Sequence, residues 1–435
     1  MKWLQLVAVA AAVLLAGAVA FAAGPTVQGP ASWPLFGGNP QHNAVFGQGP
    51  GVAWTLHQGG VSKPSAVVDG VLYAAVNPHN LAIRFHVTSA GTKGNPASTG
   101  EIWEIGAATG KVLRTVKLPS TLHLVTVWND IVFGGTGGAT LLEATPRRWI
   151  RGGGVGGAWA VSAQTGKILW SIHTRASVQS GVGVDPARDV AVFGTGAGRV
   201  YGVQATTGRI LWRDDLRADV SPSHPNLVDG VAYIDGGGPT PTALYALKER
   251  TGKVLWSVPG PNGDCAPAVD GGRVFAVASI QAGAHLEVNR LYAVSAASGK
   301  VLWTYTTPPG PVVAGDEAPA PTVAAGTVYM ASPFTNAVYA LDEATGRLLW
   351  RATLHGQAKS SAIADVAHRL VYVTDGGGFL WALRMNNGAV AGVVYLGGNF
   401  LAGEGPILVD GTLYVGSTRG IYALPAREVV SASLP

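Results

Sequence analysis

Short apolar and aromatic runs recur along most of the chain, and each alternates with polar positions before ending in a small-residue turn. A typical copy, VYALDEATGRLLW around Gly346, passes through Thr-Gly-Arg and ends in Trp. Alternation with a period of two predicts β-strands, and the glycine predicts a turn with positive φ. The turn glycines lie 42 to 56 residues apart, at Gly110, Gly166, Gly208, Gly252, Gly299, Gly346 and Gly388.

A further pair of strands precedes each turn, as in GPILVDGTLYVGS (405–417), where Asp-Gly predicts a tight hairpin. Each unit therefore has four strands, A to D, and its length is typical of a propeller blade. After Gly392 only three strands remain, whereas GVAWTLHQ around Trp54 supplies a lone D strand near the N-terminus. The sequence predicts an all-β fold, an eight-bladed β-propeller of four-stranded antiparallel blades, with the last blade closed by the N-terminal strand.

Most D strands end in a tryptophan. An aromatic side chain at this repeated position is expected to pack between neighbouring blades, which is a structural role. Two copies depart from the pattern, with Arg114 and Gly392 in place of Trp. The tryptophans assigned to docking are Trp54, Trp170, Trp212, Trp256, Trp303 and Trp350.

The N-terminus predicts export. One Lys precedes a long apolar run that ends in Ala20-Phe21-Ala22, the pattern of a cleaved signal peptide; an uncleaved anchor is the alternative. The predicted organisation is a signal peptide (1–23), an N-terminal lead-in (24–50), the propeller (51–428) and a C-terminal tail (429–435). Cys265 is the single cysteine, which excludes an internal disulfide framework.

Composition narrows the possible partners. Charged residues make up only 13% of the chain, and the net charge of +5 is not concentrated in runs of Lys or Arg, so no nucleic acid partner is predicted. No two histidines have a metal-ligand spacing, so no metal is predicted. Contact with a membrane is expected only through an uncleaved signal segment, and the protein is expected to be a monomer.

The first residues of the A strands form a candidate binding ring. In a propeller these strands line the central channel, and most blades have a polar residue where strand A begins. We predict that these residues surround the channel mouth and orient a ligand, although polar residues are also ordinary where a strand leaves solvent. The ring comprises Lys63, His123, Gln179, Asp264, Asp316, Glu317, Lys359 and Glu404.

Two long B-to-C connections are predicted on the same face, at about 77–100 and 136–157. Long loops on a rigid scaffold often carry function, and their basic and aromatic residues suit an acidic group or a peptide; ordinary solvated loops are the alternative. The candidate binding residues are Arg84, His86, Arg147, Arg148, Trp149 and Arg151.

The repeats resemble the eight-bladed quinoprotein-like propellers, the PQQ-type repeat family. Ala340, Asp342, Thr345, Gly346 and Trp350 match that family's tryptophan-docking motif, and SWPLFGGNPQHNAV (32–45) resembles its lead-in. The family includes dehydrogenases that hold PQQ and Ca²⁺ at the channel mouth, and a non-catalytic propeller lipoprotein of outer-membrane assembly. The dehydrogenases' adjacent cysteine pair is absent here, and their calcium ligands have no matching residues.

We therefore predict a secreted, periplasmic or cell-surface propeller without catalytic activity, which binds or scaffolds a protein or peptide at its channel-mouth face and needs no cofactor. The alternative is a PQQ- and Ca²⁺-dependent quinoprotein oxidoreductase acting on alcohols or sugars, with its carboxylate base and its cation drawn from the ring. A third hypothesis is carbohydrate or cell-wall binding. No catalytic residue is assigned.

Overall fold

Eight antiparallel sheets make up the propeller in the described part of this computed structural model. The structure describes residues 38–43, 45–58, 60–78, 99–120, 122–138, 141–145, 148–151, 156–237, 242–261, 266–313, 319–399 and 405–432. The predicted fold class is confirmed. Each blade has four strands, and its innermost strand, A, lines the central channel.

The strands follow one another in chain order through the blades. Their bounds are β1 Trp54–His57, β2 Val61–Val68, β3 Val71–Asn77, β4 Gly100–Gly106, β5 Val112–Leu118, β6 Leu122–Trp128, β7 Ile131–Thr136, β8 Leu141–Thr145, β9 Arg148–Arg151, β10 Gly156–Ser162, β11 Ile168–Thr174, β12 Gly183–Asp185, β13 Val190–Gly194, β14 Arg199–Gln204, β15 Ile210–Asp215, β16 Asn226–Val228, β17 Val231–Gly236, β18 Ala243–Lys248, β19 Val254–Pro259, β20 Ala268–Asp270, β21 Arg273–Gly283, β22 Leu286–Ser295, β23 Val301–Thr306, β24 Gly310–Pro311, β25 Thr322–Ala324, β26 Thr327–Ser332, β27 Ala337–Asp342, β28 Leu348–Thr353, β29 Ile363–Asp365, β30 Leu370–Thr374, β31 Phe379–Arg384, β32 Val390–Tyr395, β33 Ile407–Val409, β34 Thr412–Gly416 and β35 Gly420–Pro425.

The N-terminal strand closes the ring, as predicted. Blade 1 is β2 to β5, and blade 8 has the order β33-β34-β35-β1. In the antiparallel register of β1 and β35, Trp54 faces Ala423 and Thr55 faces Tyr422. Because β1 pairs with β35, the C strand of blade 8 is not left as an unpaired edge of the kind that recruits other chains.

Most A-to-B connections are two-residue hairpins with positive φ at both central positions. Asp69-Gly70 and Asp410-Gly411 have this geometry, as the Asp-Gly signal predicts. In blade 5 the central pair is Gly271-Gly272. Blades 3 and 7 differ, because four residues separate their A and B strands at 186–189 and 366–369.

The tryptophans of the D strands dock on the C-to-D turn of the next blade. Trp350, for example, donates an Nε1–H hydrogen bond of 2.8 Å to the carbonyl of Met385. Its ring also lies against Gly388, where a Cβ would come within 2.5 Å of it. The turn glycine is therefore required by both its positive φ and this close approach. The other five donate to the carbonyls of Ala107, Ala205, Glu249, Ala296 and Glu343.

Two blades lack the docking tryptophan, and a different group occupies its position in each. Arg114 donates from Nη1 to the carbonyl of Ala163 at 2.6 Å, the position equivalent to an indole's acceptor. In the other blade, the helix α1 (Ala426–Ser431) occupies the tryptophan's place. A Cβ added to Gly392 would lie 1.9 Å from the carbonyl oxygen of Val429 in this helix.

Among the described residues, no helix is long and apolar enough to cross a bilayer.

The described end of the lead-in is hydrogen-bonded to the A strands of three blades. The carbonyl of Pro40 accepts hydrogen bonds from Asn226 Nδ2 (2.9 Å) and Val269 N (2.8 Å). The carbonyl of Gln41 accepts from Val323 N at 2.8 Å. The segment thus ties the A strands of blades 4, 5 and 6 together.

Candidate functional site

Four residues of the predicted ring lie in the described structure, at the start of the A strands of blades 1, 2, 3 and 7. Lys63 is 9% exposed, His123 and Gln179 are each 7% exposed, and Lys359 is half-buried. They share one face of the propeller. The other four members, Asp264, Asp316, Glu317 and Glu404, lie outside the described residues.

His123 and Gln179 support the second long connection. His123 Nε2 lies 3.0 Å from the carbonyl oxygen of Gly137, and Gln179 Nε2 donates to the carbonyl of Gly138 at 3.5 Å. Both carbonyls belong to the first residues after β7. The two side chains therefore fix the base of this connection as well as lining the inner end of their blades.

The two long connections are only partly described. Within the second, β8 and β9 form a hairpin in which Glu143 pairs with Trp149 in register. The sequence predicted a loop there, whereas Arg148, Trp149 and Arg151 are strand residues. The side chains of these three, together with Arg84, His86 and Arg147, lie outside the described residues.

A pair of histidines is buried within the channel. His42 of the lead-in places Nδ1 2.9 Å from the carbonyl oxygen of Pro321, and His224 places Nε2 3.4 Å from Thr126 Oγ1. Burial lowers the pKa of each histidine to about 4, and the neighbouring His42 adds to the effect at His224. Both are therefore neutral at pH 7 and act as hydrogen-bonding parts of the interior.

An aromatic cluster that the sequence analysis missed lies on the mouth face, between blades 6 and 7. Phe379 and Tyr395 are cross-strand neighbours with ring centroids 4.9 Å apart. His355 contacts Phe379 edge-on at 5.2 Å and Trp381 at 5.1 Å. The ring of Tyr395 and the imidazole of His355 are exposed, and Tyr395 remains 55% exposed.

A buried carboxylate fixes this cluster. Asp375 Oδ2 accepts hydrogen bonds from Trp381 Nε1 (2.8 Å) and Gly356 N (3.0 Å), and its Oδ1 accepts from Gly377 N (2.9 Å). The D-to-A connection that carries His355 is therefore tied to the B-to-C connection that precedes Phe379. A rigid group of exposed aromatic rings is the kind of surface that dominates binding energy at protein interfaces.

A second missed feature is a cavity of about 500 Å³ on the opposite face, between blades 7 and 8. Lead-in residues 45 and 47–50, the A-to-B connection of blade 7 and α1 line it. The sequence offered one indirect signal, the loss of the docking Trp at Gly392.

The four described members of the predicted ring do not by themselves fit a quinone with a bound cation. Lys63, His123, Gln179 and Lys359 supply two amines, an imidazole and an amide, but no carboxylate. Within the described ranges, no group of three or more His, Cys, Asp or Glu is arranged to hold a metal ion. The carboxylates that the sequence assigned to the mouth all belong to undescribed segments.

These features define the class as a closed, tryptophan-docked eight-bladed propeller of PQQ-like repeats. The family model described as outer membrane protein assembly factor BamB matches residues 43–221, 154–261 and 197–428. The chain belongs to this family. No curated protein matches it by sequence.

Solved structures share the fold at low sequence identity. BamB from Moraxella catarrhalis aligns with a TM-score of 0.55 and 14% identity over 85% of this chain and 97% of that one. The quinohemoprotein alcohol dehydrogenase from Comamonas testosteroni aligns with a TM-score of 0.62 and 14% identity over 93% and 81%. The computationally designed protein Ika8 aligns with a TM-score of 0.58 and 14% identity over 87% and 100%. At this identity the likeness shows the fold alone.

Proposed function

We propose that this protein is an exported, non-catalytic binding or scaffolding propeller of the cell envelope, which recognises a protein or peptide on its channel-mouth face. The cluster of exposed His355 and Tyr395 with half-buried Phe379 carries the proposal. Membership in a family described by outer-membrane assembly supports a protein partner and an envelope location.

The chemistry of the cluster favours a polypeptide ligand. Phe379 and Tyr395 form a two-strand aromatic edge at the end of blade 7, while His355 adds an imidazole beside them. Aromatic rings held in place by packing lose little entropy on binding and bury a large apolar area. The cluster lies on the face predicted to carry the channel mouth.

Site-specific photocross-linking in the native host tests this proposal. A photoreactive residue at position 395 is expected to give a discrete adduct with an envelope protein, and Phe379→Ala should reduce the adduct several-fold. The matched control is the same label at Arg347, which is exposed on the opposite face. Equal labelling at the two positions, or no adduct at 395, would contradict the proposal.

Export is tested separately by the mass of the mature chain after expression with its own N-terminal segment. Removal of residues 1–23 is expected. A chain that keeps them and remains with the membrane fraction would favour the uncleaved anchor instead.

The alternative proposal, a PQQ-dependent oxidoreductase acting on alcohols or sugars, is tested with the same protein. PQQ and Ca²⁺ are added while the thermal midpoint and dye-linked oxidation are followed. A saturable rise in the midpoint together with turnover would replace the binding proposal with the enzymatic one.

A further inference from the structure

The cavity between blades 7 and 8 combines an apolar wall with unpaired positive charge. Leu370, Leu408 and Val430 contribute apolar surface, while Arg384 and Arg427 line the same space together with one carboxylate residue, Asp365. Its volume, about 500 Å³, is within the range of small-molecule sites. The cavity lies on the face opposite the channel mouth.

The closure of the ring explains why the cavity exists. Blade 8 takes its D strand from the N-terminus, so β35 leads into α1 and no C-to-D turn follows it. Blade 7 ends without a docking Trp, because Gly392 lies against Val429 of α1. The usual indole and the usual turn are both missing at this junction, and α1 fills only part of their space.

Comparable junctions pair their arginine with a glutamate from the next blade. Arg188 Nε lies 3.4 Å from Glu249 Oε1 between blades 3 and 4. Arg273 Nη1 lies 3.3 Å from Glu343 Oε1 between blades 5 and 6. Both glutamates belong to C-to-D turns. Blade 8 has no such turn, so the chain supplies no equivalent carboxylate.

The two cavity arginines accordingly have no ion pair or side-chain hydrogen bond to any described residue, and both are exposed. An unpaired guanidinium beside an apolar wall is suited to a carboxylate that carries an apolar body. Arg384, at the end of β31, and Arg427, in α1, are not the counterparts of Arg188, which corresponds to His368. The ligand's carboxylate would supply the acidic partner that a C-to-D glutamate supplies at the other junctions.

Two further polar groups face the same space. Tyr372 is 1% exposed and lines the cavity, and its hydroxyl has no hydrogen bond to a described residue. His368 donates from Nδ1 to Asp365 Oδ2 at 2.7 Å, and this side chain is still 60% exposed. The hydroxyl of Tyr372 is available as a donor to a bound anion.

We propose that this cavity is a binding site for a small organic carboxylate with an apolar body, whose carboxylate lies between Arg384 and Arg427. The ligand is either a free carboxylic acid or the C-terminal carboxylate of a short peptide. The proposal does not depend on the partner proposed for the mouth face.

Titration calorimetry with the full chain tests the site, using hexanoate, 4-phenylbutyrate and a Leu-Phe dipeptide as probes. At least one probe is expected to bind saturably, and the amide of that probe should bind at least about tenfold more weakly because it lacks the charge. Binding should weaken at high salt. Preference for the dipeptide over the free acids would identify a peptide C-terminus as the source.

Substitutions of the cavity arginines test whether the probe binds in this cavity. Arg384→Gln and Arg427→Gln are each expected to weaken it about tenfold, whereas Arg347→Gln, at an exposed arginine outside the cavity, should leave it unchanged. The proposal is overturned if no probe binds at millimolar concentration or if the Arg384→Gln, Arg427→Gln double variant binds as the wild type does. It is also overturned if binding appears only in a chain ending at Ala432, because the chain's own terminus would then be the carboxylate.

Discussion

The junction between blades 3 and 4 and the junction between blades 7 and 8 begin with the same turn and are completed differently. In both, strand A ends in Asp, and the basic residue three positions later returns to it at 2.7 Å, as Arg188 does to Asp185 and His368 to Asp365. At the first junction Arg188 continues to Glu249 of the next blade. At the second, His368 has no ion pair with any described carboxylate of blade 8.

The indole position differs in the same way. Trp212 donates a 2.6 Å hydrogen bond to the carbonyl of Glu249. One residue of the C-to-D turn therefore provides both the acceptor for the indole and the ion-pair partner of Arg188. At the second junction, Gly392 and α1 replace this pair. Closing the ring through the N-terminal strand thus removes one turn, and the space that this turn would occupy becomes the cavity.

The largest expected effect is at the complete junction. Trp212→Ala should lower the free energy of unfolding by about 3–5 kcal/mol, because a buried indole and its hydrogen bond are lost. Denaturant midpoints measure this. Trp212→Phe, which keeps most of the ring but not the donor, should lose much less, and equal losses for the two variants would show that packing of the indole is not the dominant contribution.

The interrupted junction should respond to a smaller change. Gly392→Ala places a Cβ against the backbone of Val429, so α1 must shift, with an expected loss of about 1–3 kcal/mol. The measurement is a double-mutant cycle with a chain ending at Pro425, in which Gly392→Ala should be close to neutral. An undiminished loss in the shortened chain would mean that α1 is not the obstacle.

The sequence predicted the repeat, the number of blades and the closure, because each depends on local signals: turn glycines, alternating apolar positions and a strand left over at each end. It could not predict the aromatic cluster, whose members His355, Phe379 and Tyr395 are brought together only by register and by Asp375. The cavity is similar, since Arg384 and Arg427 line one space only once the ring closes. Gly392 was visible as a departure from the repeat, but the residue that occupies its space was not.

The carboxyl groups at the complete junction should make its stability depend on pH. Burial, and then the neighbouring Asp185, raise the pKa of Glu249, so the folded protein holds a proton that the unfolded chain releases. The stabilisation that comes from this bound proton is complete below the ordinary pKa of glutamate. It is lost as the pH rises from there through the raised pKa of the folded state.

Glu249→Gln stays neutral and does not lose this contribution. The unfolding free energy of the variant, minus that of the wild type, should therefore rise by about 1 kcal/mol from pH 5 to pH 8. Denaturant midpoints at the two pH values give the difference. Glu428→Gln, at an exposed carboxyl of α1, controls for the loss of a charge. A relative gain of the opposite sign would mean that Arg188 dominates and keeps Glu249 ionised.

The smallest expected effect is at the junction between blades 1 and 2, where Arg114 takes the tryptophan's place. Its Nη1 and Nη2 donate to the carbonyls of Ala163 (2.6 Å) and Gln164 (2.8 Å), and Nη1 lies 3.4 Å from Glu104 Oε1. Lysine cannot make this forked contact, so Arg114→Lys should lower the unfolding free energy by about 1 kcal/mol.

Arg114→Trp distinguishes a shape requirement from a charge requirement at the same position. Burial raises the pKa of Glu104 and Arg114 opposes that rise, so the indole alone would leave this buried carboxyl without its cation. We expect Arg114→Trp to destabilise the wild type and to be tolerated with Glu104→Gln, as measured by the coupling in a double-mutant cycle. If Trp is tolerated equally well in both backgrounds, Glu104 does not require the cation, and Arg114 fills the docking position only through its shape and its two carbonyl contacts.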